Sequence, residues 1–457
     1  MTQFDLVLRN GRVVDPTNKI DAVSDIAISN GKIAAVQPGI DLSRTKTVID
    51  VTGRVVIPGI IDPHVHIGTI GYMNMAKVGV ITAVDVTAPM QQVLSNTKTF
   101  GTGMNIADIT SIHSGIKKPN PSRAEIDAML DDYLKSGALG VKIIQEPLPH
   151  ETIINTIEEA NKKKVFAKLD CGVTEEGSNI RGLTWILTEV GNDLHLDIAH
   201  VNSYCRGQVK DAMEEAMDAI HLLEGKKNIQ SESYLGIING TSGKVVNGIP
   251  ENECTRECLR IGGYPETEEG LRKALLDGFA RVNQVSGGET IQLQGLEALK
   301  AWEDGQKGVS FPVNKPYITT FLASRKDSQK RFVINAISTD GGSSPRNVIV
   351  SSGLALVRLG ALSLDEFVAK TSYAPSRMYG MLEKGSLGVG IDADVTGLDL
   401  ERGKAVMGIA LGKVIMADGI VVGTGGTIIT TEKGVGAVKA SGLPFWTVDL
   451  TKCGLYA

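Results

Sequence analysis

Cysteine is scarce in this chain and odd in number: Cys171, Cys205, Cys254, Cys258 and Cys453 are scattered. That excludes a disulfide framework and points to a reducing, cytoplasmic setting. Long apolar runs are missing as well. No stretch of about 18 uninterrupted apolar residues occurs, so no membrane span is expected. The start, Met1-Thr-Gln-Phe-Asp-Leu-Val-Leu8, has no cationic segment followed by an apolar one, so no secretion signal is expected. Positive charge is not in excess. Lys and Arg total 47 against 52 Asp and Glu, for a net charge of −5 and a pI of about 5.9. Nothing in that balance attracts nucleic acid.

What is present is an ordinary globular composition, 42% hydrophobic, with mean hydropathy near zero. The 52 glycines suit many tight turns between strands and helices. At 457 residues the chain exceeds one ordinary domain. It has room for a closed barrel of roughly 250 to 400 residues with a small satellite.

Pro58-Gly-Ile-Ile-Asp-Pro-His-Val-His66 is the most informative stretch. His64 and His66 alternate just after an apolar run from Val55 to Ile61. Alternate residues of a strand face the same way, so two imidazoles at the end of a buried strand make half a metal site. The plainer reading is two packed core histidines. The position of Asp62 between the apolar run and the pair argues against it.

Around this stretch the chain divides by pattern. Residues 1–57 read as short strands and turns, with Asn10-Gly11 and Asn30-Gly31 as hairpin signals. Val406 to Gly419 is again rich in strand formers, and the two ends, 1–57 and 384–457, are expected to build one small β-sandwich. Between them strands alternate with helices, including Arg123–Leu134 with Ser122 as N-cap and an amphipathic Gln208–Leu223. Repeated strand–helix units imply a parallel sheet, and their number fits closure into a barrel over 58–383. Asn247 to Pro316 reads as an insertion or lid on the active-site side.

Pro58-Gly-x-x-Asp62-x-His64-x-His66 resembles the first-strand signature of the amidohydrolase superfamily. The resemblance implies an α/β fold: a (β/α)8, TIM-like barrel with a small β-sandwich domain formed by the N- and C-terminal segments. In such barrels the site lies at the C-terminal ends of the strands. His64 and His66 on strand one, Lys142 on strand four, His200 on strand six and Asp340 on strand eight resemble the hydantoinase/dihydroorotase branch. The D-aminoacylase group is a near relative. That branch implies one or two divalent ions, zinc or manganese, with a carboxylated Lys142 bridging. Carboxylation turns a cation that cannot ligate into a carboxylate that can. The metal would generate hydroxide, and Asp340 would bind metal and shuttle the proton. Tyr204 and Arg206 are oxyanion donors by position only, and His113 is a substrate or supporting residue. His150, His195 and His221 carry no expectation.

The pattern breaks at strand five, where Lys168 falls in place of a histidine. Three outcomes stand open. One metal is held mainly by His64, His66 and Asp340. Alternatively, Lys168 and not Lys142 is the modified lysine. In the third, a second metal borrows Asp170, Cys171 or His113. Lys168 could also meet an anionic substrate group or neutralise the site's carboxylates. The activity implied is hydrolysis of a C–N bond in a cyclic amide or ureide of a small-molecule substrate. Deacylation of N-acyl-D-amino acids, ring deamination and a metal-free scaffold are the alternatives. Family habit adds a homo-oligomer, dimer or tetramer.

Overall fold

The computed structural model describes residues 4–144 and 147–457; part of the N-terminal run, residues 1–3, lies outside them. Eight parallel strands close a barrel. They are Ile60–His66, Val80–Asp85, Thr102–Ser111, Gly140–Ile143, Phe166–Leu169, Leu196–Ile198, Ile229–Tyr234 and, as the eighth, Ala336–Ser338 continued by Gly341–Gly342. The eighth strand makes the closure. Its first part pairs with strand seven through Glu232 and Ala336, and its last part with strand one through Val65 and Gly341. Most of these segments are buried along their whole length, as strands covered on both faces must be. Ser122 does cap the helix Arg123–Ser136, in a reciprocal box with Glu125.

The two ends of the chain meet in a second, nine-stranded sheet with its own apolar core. Val55–Pro58 pairs antiparallel with Val395–Asp399, which joins the N-terminal strands to the C-terminal ones. The sequence reading extends this layer over all of 384–457. From Gly425 onward, however, the chain returns to the barrel, where Gly425–Thr430 pairs with strand three.

Two local readings need correction. Asn30-Gly31 is a two-residue hairpin, with Ser29 opposite Lys32 and both turn residues at positive φ. Asn10-Gly11 is not a turn. Asn10 takes a left-handed φ of 61° inside one long strand, Phe4–Asp15, and marks a register shift between Leu8 and Gly11. Its N–H is held by the Asp25 carboxylate, so the strand runs on past it. The helix expected from Gln208 starts at Ala212, with Asp211 as its cap. Buried Glu215 instead accepts from the N–H groups of Gly207, Val209 and Lys210, which pins those residues as a loop. The buried face is consequently Ala212, Ala216, Ala219, Ile220 and Leu223, with Met217 facing out.

An inserted layer follows strand seven. Its four-stranded antiparallel sheet runs Asn239–Ser242, Gly308–Phe311, Arg281–Ser286, Glu289–Leu293. It begins earlier than the Asn247 boundary read from sequence. Leu259, Leu271, Leu275, Trp302 and Phe311 form its core. Asn314 fastens one end by donating to Tyr234 Oη and Gly236 O. The Arg281–Leu293 hairpin reaches back to the barrel, where Thr290 donates to Ser343 O and Glu289 pairs with Lys77. Among the described residues no helix is long and apolar enough to cross a membrane.

Glu215→Gln keeps the shape of that side chain but removes the charge its three donors share. Charge-assisted bonds of this kind are worth about 1.5–3 kcal/mol each when buried. Faster amide exchange at Gly207, Val209 and Lys210, with little change in the helix itself, is the expected result. Unchanged exchange there would show that the loop is held by something else.

Candidate metal centre

Strand one delivers both histidines to the barrel mouth. His64 is fully buried, and the side chain of His66, two residues on, is 28% exposed. Asp62 ties this strand to strand eight by accepting from Thr339 Oγ1 at 2.5 Å and from Thr339 N at 3.2 Å. Burial raises its carboxyl to about 7 against those bonds.

Strand eight breaks at Asp340, whose φ of 50° is left-handed. Its N–H donates to His64 O at 2.9 Å, so the break is locked to strand one. The turn presents the carboxylate to both imidazoles. Oδ1 lies 2.9 Å from His66 Nε2 and 3.6 Å from His64 Nε2. Oδ2 pairs with Arg346 Nη2 at 2.7 Å, and Arg346 Nε also holds the Asp340 carbonyl. Burial would raise this carboxyl. Arg346 and His66 outweigh it and hold the group well below the usual carboxylate range.

Glu232 on strand seven sets the state of His64. Its Oε1 lies 2.5 Å from His64 Nδ1, 2.9 Å from the His200 N–H and 3.2 Å from Lys168 Nζ, and its Oε2 accepts from Ser338 Oγ. Burial pushes Glu232 up, but Lys168, His200 and Ser338 bring it below its ordinary value. A carboxylate there assigns the proton of His64 to Nδ1 and leaves Nε2 bare. Burial, followed by the charges of Lys142 and Lys168, drives His64 well below the normal imidazole range. It is a neutral ligand-ready ring.

One ligand atom each from His64, His66 and Asp340 lies within 4.8 Å of the others. His64 Nε2 is buried without a hydrogen-bond partner among the described residues. The neutral His64 ring with its orphaned buried nitrogen, a second imidazole and a carboxylate are a donor set that suits a zinc-like divalent ion.

The opposite wall is built differently. Ser111, Lys142, Lys168 and Asp197 stand side by side in register on strands three to six. Lys168 is a closed ion pair, 2.6 Å from Asp197 and 3.2 Å from Glu232. Its carboxylate neighbours overcome burial and raise it above the ordinary lysine value. It stands as an ammonium, unavailable to a metal or to an anionic substrate group. Lys142 Nζ is buried with no hydrogen-bond partner among the described residues. Burial first, then the charge of Lys168, lowers it to about 8. His200 follows strand six at a left-handed φ of 31° and meets Asp170 Oδ2 at 3.2 Å.

Of the remaining sequence candidates, His113 lines a cleft of about 440 Å³ beside His66, with Asp85, Thr87, Gln92 and Ser111. Tyr204 is a support: its hydroxyl accepts from Cys171 N and reaches Asp170 at 3.4 Å. Arg206 is committed to Asn314, Ser203 and Tyr234. Sequence reasoning missed Glu232 and Arg346. Glu232 carried a signal, a charge within a strand-seven run, Gln230-Ser-Glu-Ser, that folds wholly buried. Arg346 lies six residues past Asp340 in a loop and carried none.

Known proteins are similar to this chain in sequence and in structure. No protein-family model matches the chain. In sequence it is 24% identical to a dihydroorotase of Streptococcus pneumoniae over 427 residues, 88% of this chain and 92% of that one. A dihydroorotase of Solibacter usitatus is 45% identical, but over 67 residues that make up 15% of each chain. In structure, a D-aminoacylase described as defining a subset of amidohydrolases superposes with a TM-score of 0.67 at 18% identity, covering 93% of this chain and 99% of that one. A D-hydantoinase gives 0.60 at 17%, over 93% and 98%.

Replacing Glu232 by Gln removes the charge behind His64 without removing bulk. Supporting carboxylates of this kind are worth roughly 10–100-fold in metal affinity. Competition with a chromophoric chelator should show zinc binding weakened by that factor in a protein that still melts cooperatively. Affinity equal to the parent's would mean that Glu232 does not orient the ring.

Proposed function

We propose, from the premise that this chain is an amidohydrolase-type hydrolase of carbon–nitrogen bonds related to the dihydroorotases and hydantoinases, that it opens a cyclic amide or ureide. The observation that carries the reading is the meeting of His64, His66 and Asp340 from the first and last barrel strands, with a bare imidazole nitrogen between them. These three would hold the ion, and carboxylated Lys142 would add a fourth ligand. A divalent ion held there would supply Lewis acidity, lowering the pKa of a bound water and polarising a carbonyl oxygen.

The protein's own groups do the rest. Glu232 keeps His64 neutral and aimed. Arg346 keeps Asp340 ionised and turned toward the imidazoles. Asp340, which faces both imidazoles, is placed to relay a proton to the leaving nitrogen. Lys142 is suited to modification. Lowered to about 8, its amine is partly neutral at physiological pH, and the neutral nitrogen can attack carbon dioxide, form the N–C bond and release a proton.

Deacylation of N-acyl-D-amino acids is the second reading, favoured by the closer superposition on D-aminoacylase. The cleft supports the first. Its walls beside His66 contain Asp85 and no lysine or arginine. Buried Arg346, Lys168 and Arg206 are all engaged by protein groups. Among the described residues no lysine or arginine lines that cleft to meet a substrate carboxylate, which supports an uncharged ring.

Metal analysis and a substrate panel test the proposal. Purified protein should hold at least about one equivalent of zinc or manganese. It should turn over uncharged cyclic imides, hydantoins or dihydropyrimidines faster than N-acyl-D-amino acids. Asp340→Asn should lower turnover by roughly 10²–10⁴-fold with the fold intact. Protein that binds no metal under saturating conditions would be a scaffold and not an enzyme.

Uptake of carbon-13-labelled bicarbonate tests Lys142 separately. Because the neutral amine reacts, carbamate signal should rise as pH climbs through about 8 and vanish in Lys142→Met. A signal that survives in that variant would place the modification elsewhere.

A further inference from the structure

The cleft beside His66 crosses the ends of strands one, two and three, and its polar wall divides by how each group is engaged. Most of it is committed to the protein. Asp85 accepts from the N–H groups of Ile67, Thr87 and Ala88. Thr87 Oγ1 bonds His66 Nδ1, and Ser343 Oγ donates to His66 O. Gln92 and Ser114 stand exposed at the rim. Two groups are left over. Ser111 Oγ and His113 Nε2 are both buried without a hydrogen-bond partner among the described residues.

The fold holds these two in place. Ser111 ends strand three, and His113 lies in the short turn Ile112–Ser114 that follows. Tyr133 Oη donates to Ser111 O at 2.7 Å and so fastens the turn from behind. Ser111 is 2% exposed, and its hydroxyl caps nothing. It stands in register with Lys142 on the next strand, yet neither side chain has a bond to the other. An unmet buried polar group costs free energy, and two in one cleft wall call for a ligand that meets them.

We propose that Ser111 and His113 are specificity-determining residues of the cleft, and that they take a second, uncharged hydrogen-bonding edge of the ligand while a carbonyl faces His64, His66 and Asp340. The role of that carbonyl rests on the function proposed above; the pair itself does not. The serine hydroxyl can donate and accept, and the His113 nitrogen does one or the other according to its tautomer. They suit an edge that carries an N–H beside a C=O. Strands one and three lie two strand spacings apart, roughly 10 Å. A single carbonyl cannot serve both walls, so the ligand must carry polar groups on two edges.

The test uses the full zinc-loaded protein with two probes, hydantoin, which has two such edges, and 2-pyrrolidinone, which has one. Ligand-observed NMR titration gives both affinities, and the same spectra show any turnover. Hydantoin should bind at least about tenfold more tightly. Ser111→Ala and His113→Phe should each weaken hydantoin by about tenfold and leave 2-pyrrolidinone unchanged. Zinc affinity and melting temperature should stay at the parent's values. His113 is only half-buried, so its variant keeps the test open if Ser111→Ala does not fold. Equal affinity for the two probes, including none for either, overturns the pair. Variants that keep the preference overturn it too, as does a preference lost together with zinc binding, since the residues would then serve the metal site. The expected preference without turnover of either probe would leave the pair standing and count against the proposed hydrolysis.

Discussion

One buried carboxylate organises the barrel mouth. Glu232 touches strand one through His64, strand five through Lys168, strand six through the His200 N–H and strand eight through Ser338. A fully buried carboxylate is costly unless its charge is met and its lone pairs are filled. Here both conditions hold, so the geometry of four strands is coupled to one side chain. The imidazole state, the direction of His64 and the left-handed turn at His200 all follow from that anchor. The turn would otherwise cost of order 1–3 kcal/mol for a non-glycine residue. Asp340 is the counterpart on strand eight. Its left-handed backbone is held by the bond from its N–H to His64 O and by Arg346. Both strained residues carry side chains of the proposed site. Strain that the surroundings fix is a way of presenting a group at an angle that a regular strand cannot reach.

The parts of this arrangement that were legible in sequence are those governed by local pattern. Alternation alone puts His64 and His66 on one face. Apolar runs separated by helical periods announce parallel strands, and Ser122 announces a helix start. The histidines, Lys142, His200 and Asp340 stand out because a polar residue at the end of an apolar run has few packing reasons to be there. The Arg346 contact was not legible, because it joins a loop residue to a carboxylate around a turn whose shape depends on closure of the barrel. Asn10-Gly11 misled for the opposite reason. The dipeptide favours positive φ equally in a hairpin and in a bulge, and only the partner strand, through Asp25, decides which. Gln208 to Lys210 misled because Glu215 binds their N–H groups from within the next helix, a contact that apolar periodicity cannot encode.

Lys168 is the residue on which the comparison with related barrels turns, and charge accounts for it without invoking a lost function. The layer beneath the mouth holds Asp197 and Glu232 in full burial. Lys168 reaches both, at 2.6 and 3.2 Å. An imidazole there would carry a positive charge only while protonated and would titrate near neutrality. With neither acid compensated, Glu232 would drift toward protonation, and a protonated Glu232 would no longer fix the tautomer of His64. The ammonium thus supports the three-residue metal group by holding Glu232 charged, although it cannot itself bind a cation. The same charge acts on Lys142 in the opposite sense. Repulsion from Lys168 adds to burial in making the Lys142 amine less basic, which increases the neutral fraction at a given pH. If Lys142 is carboxylated, it changes from a cation to an anion. The fixed positive charge next to it then turns from a penalty into a partner. The lysine on strand five therefore makes the Lys142 amine the less basic of the two. His200 meets Asp170 at 3.2 Å, and its ring centroid lies 5.0 Å from that of His64.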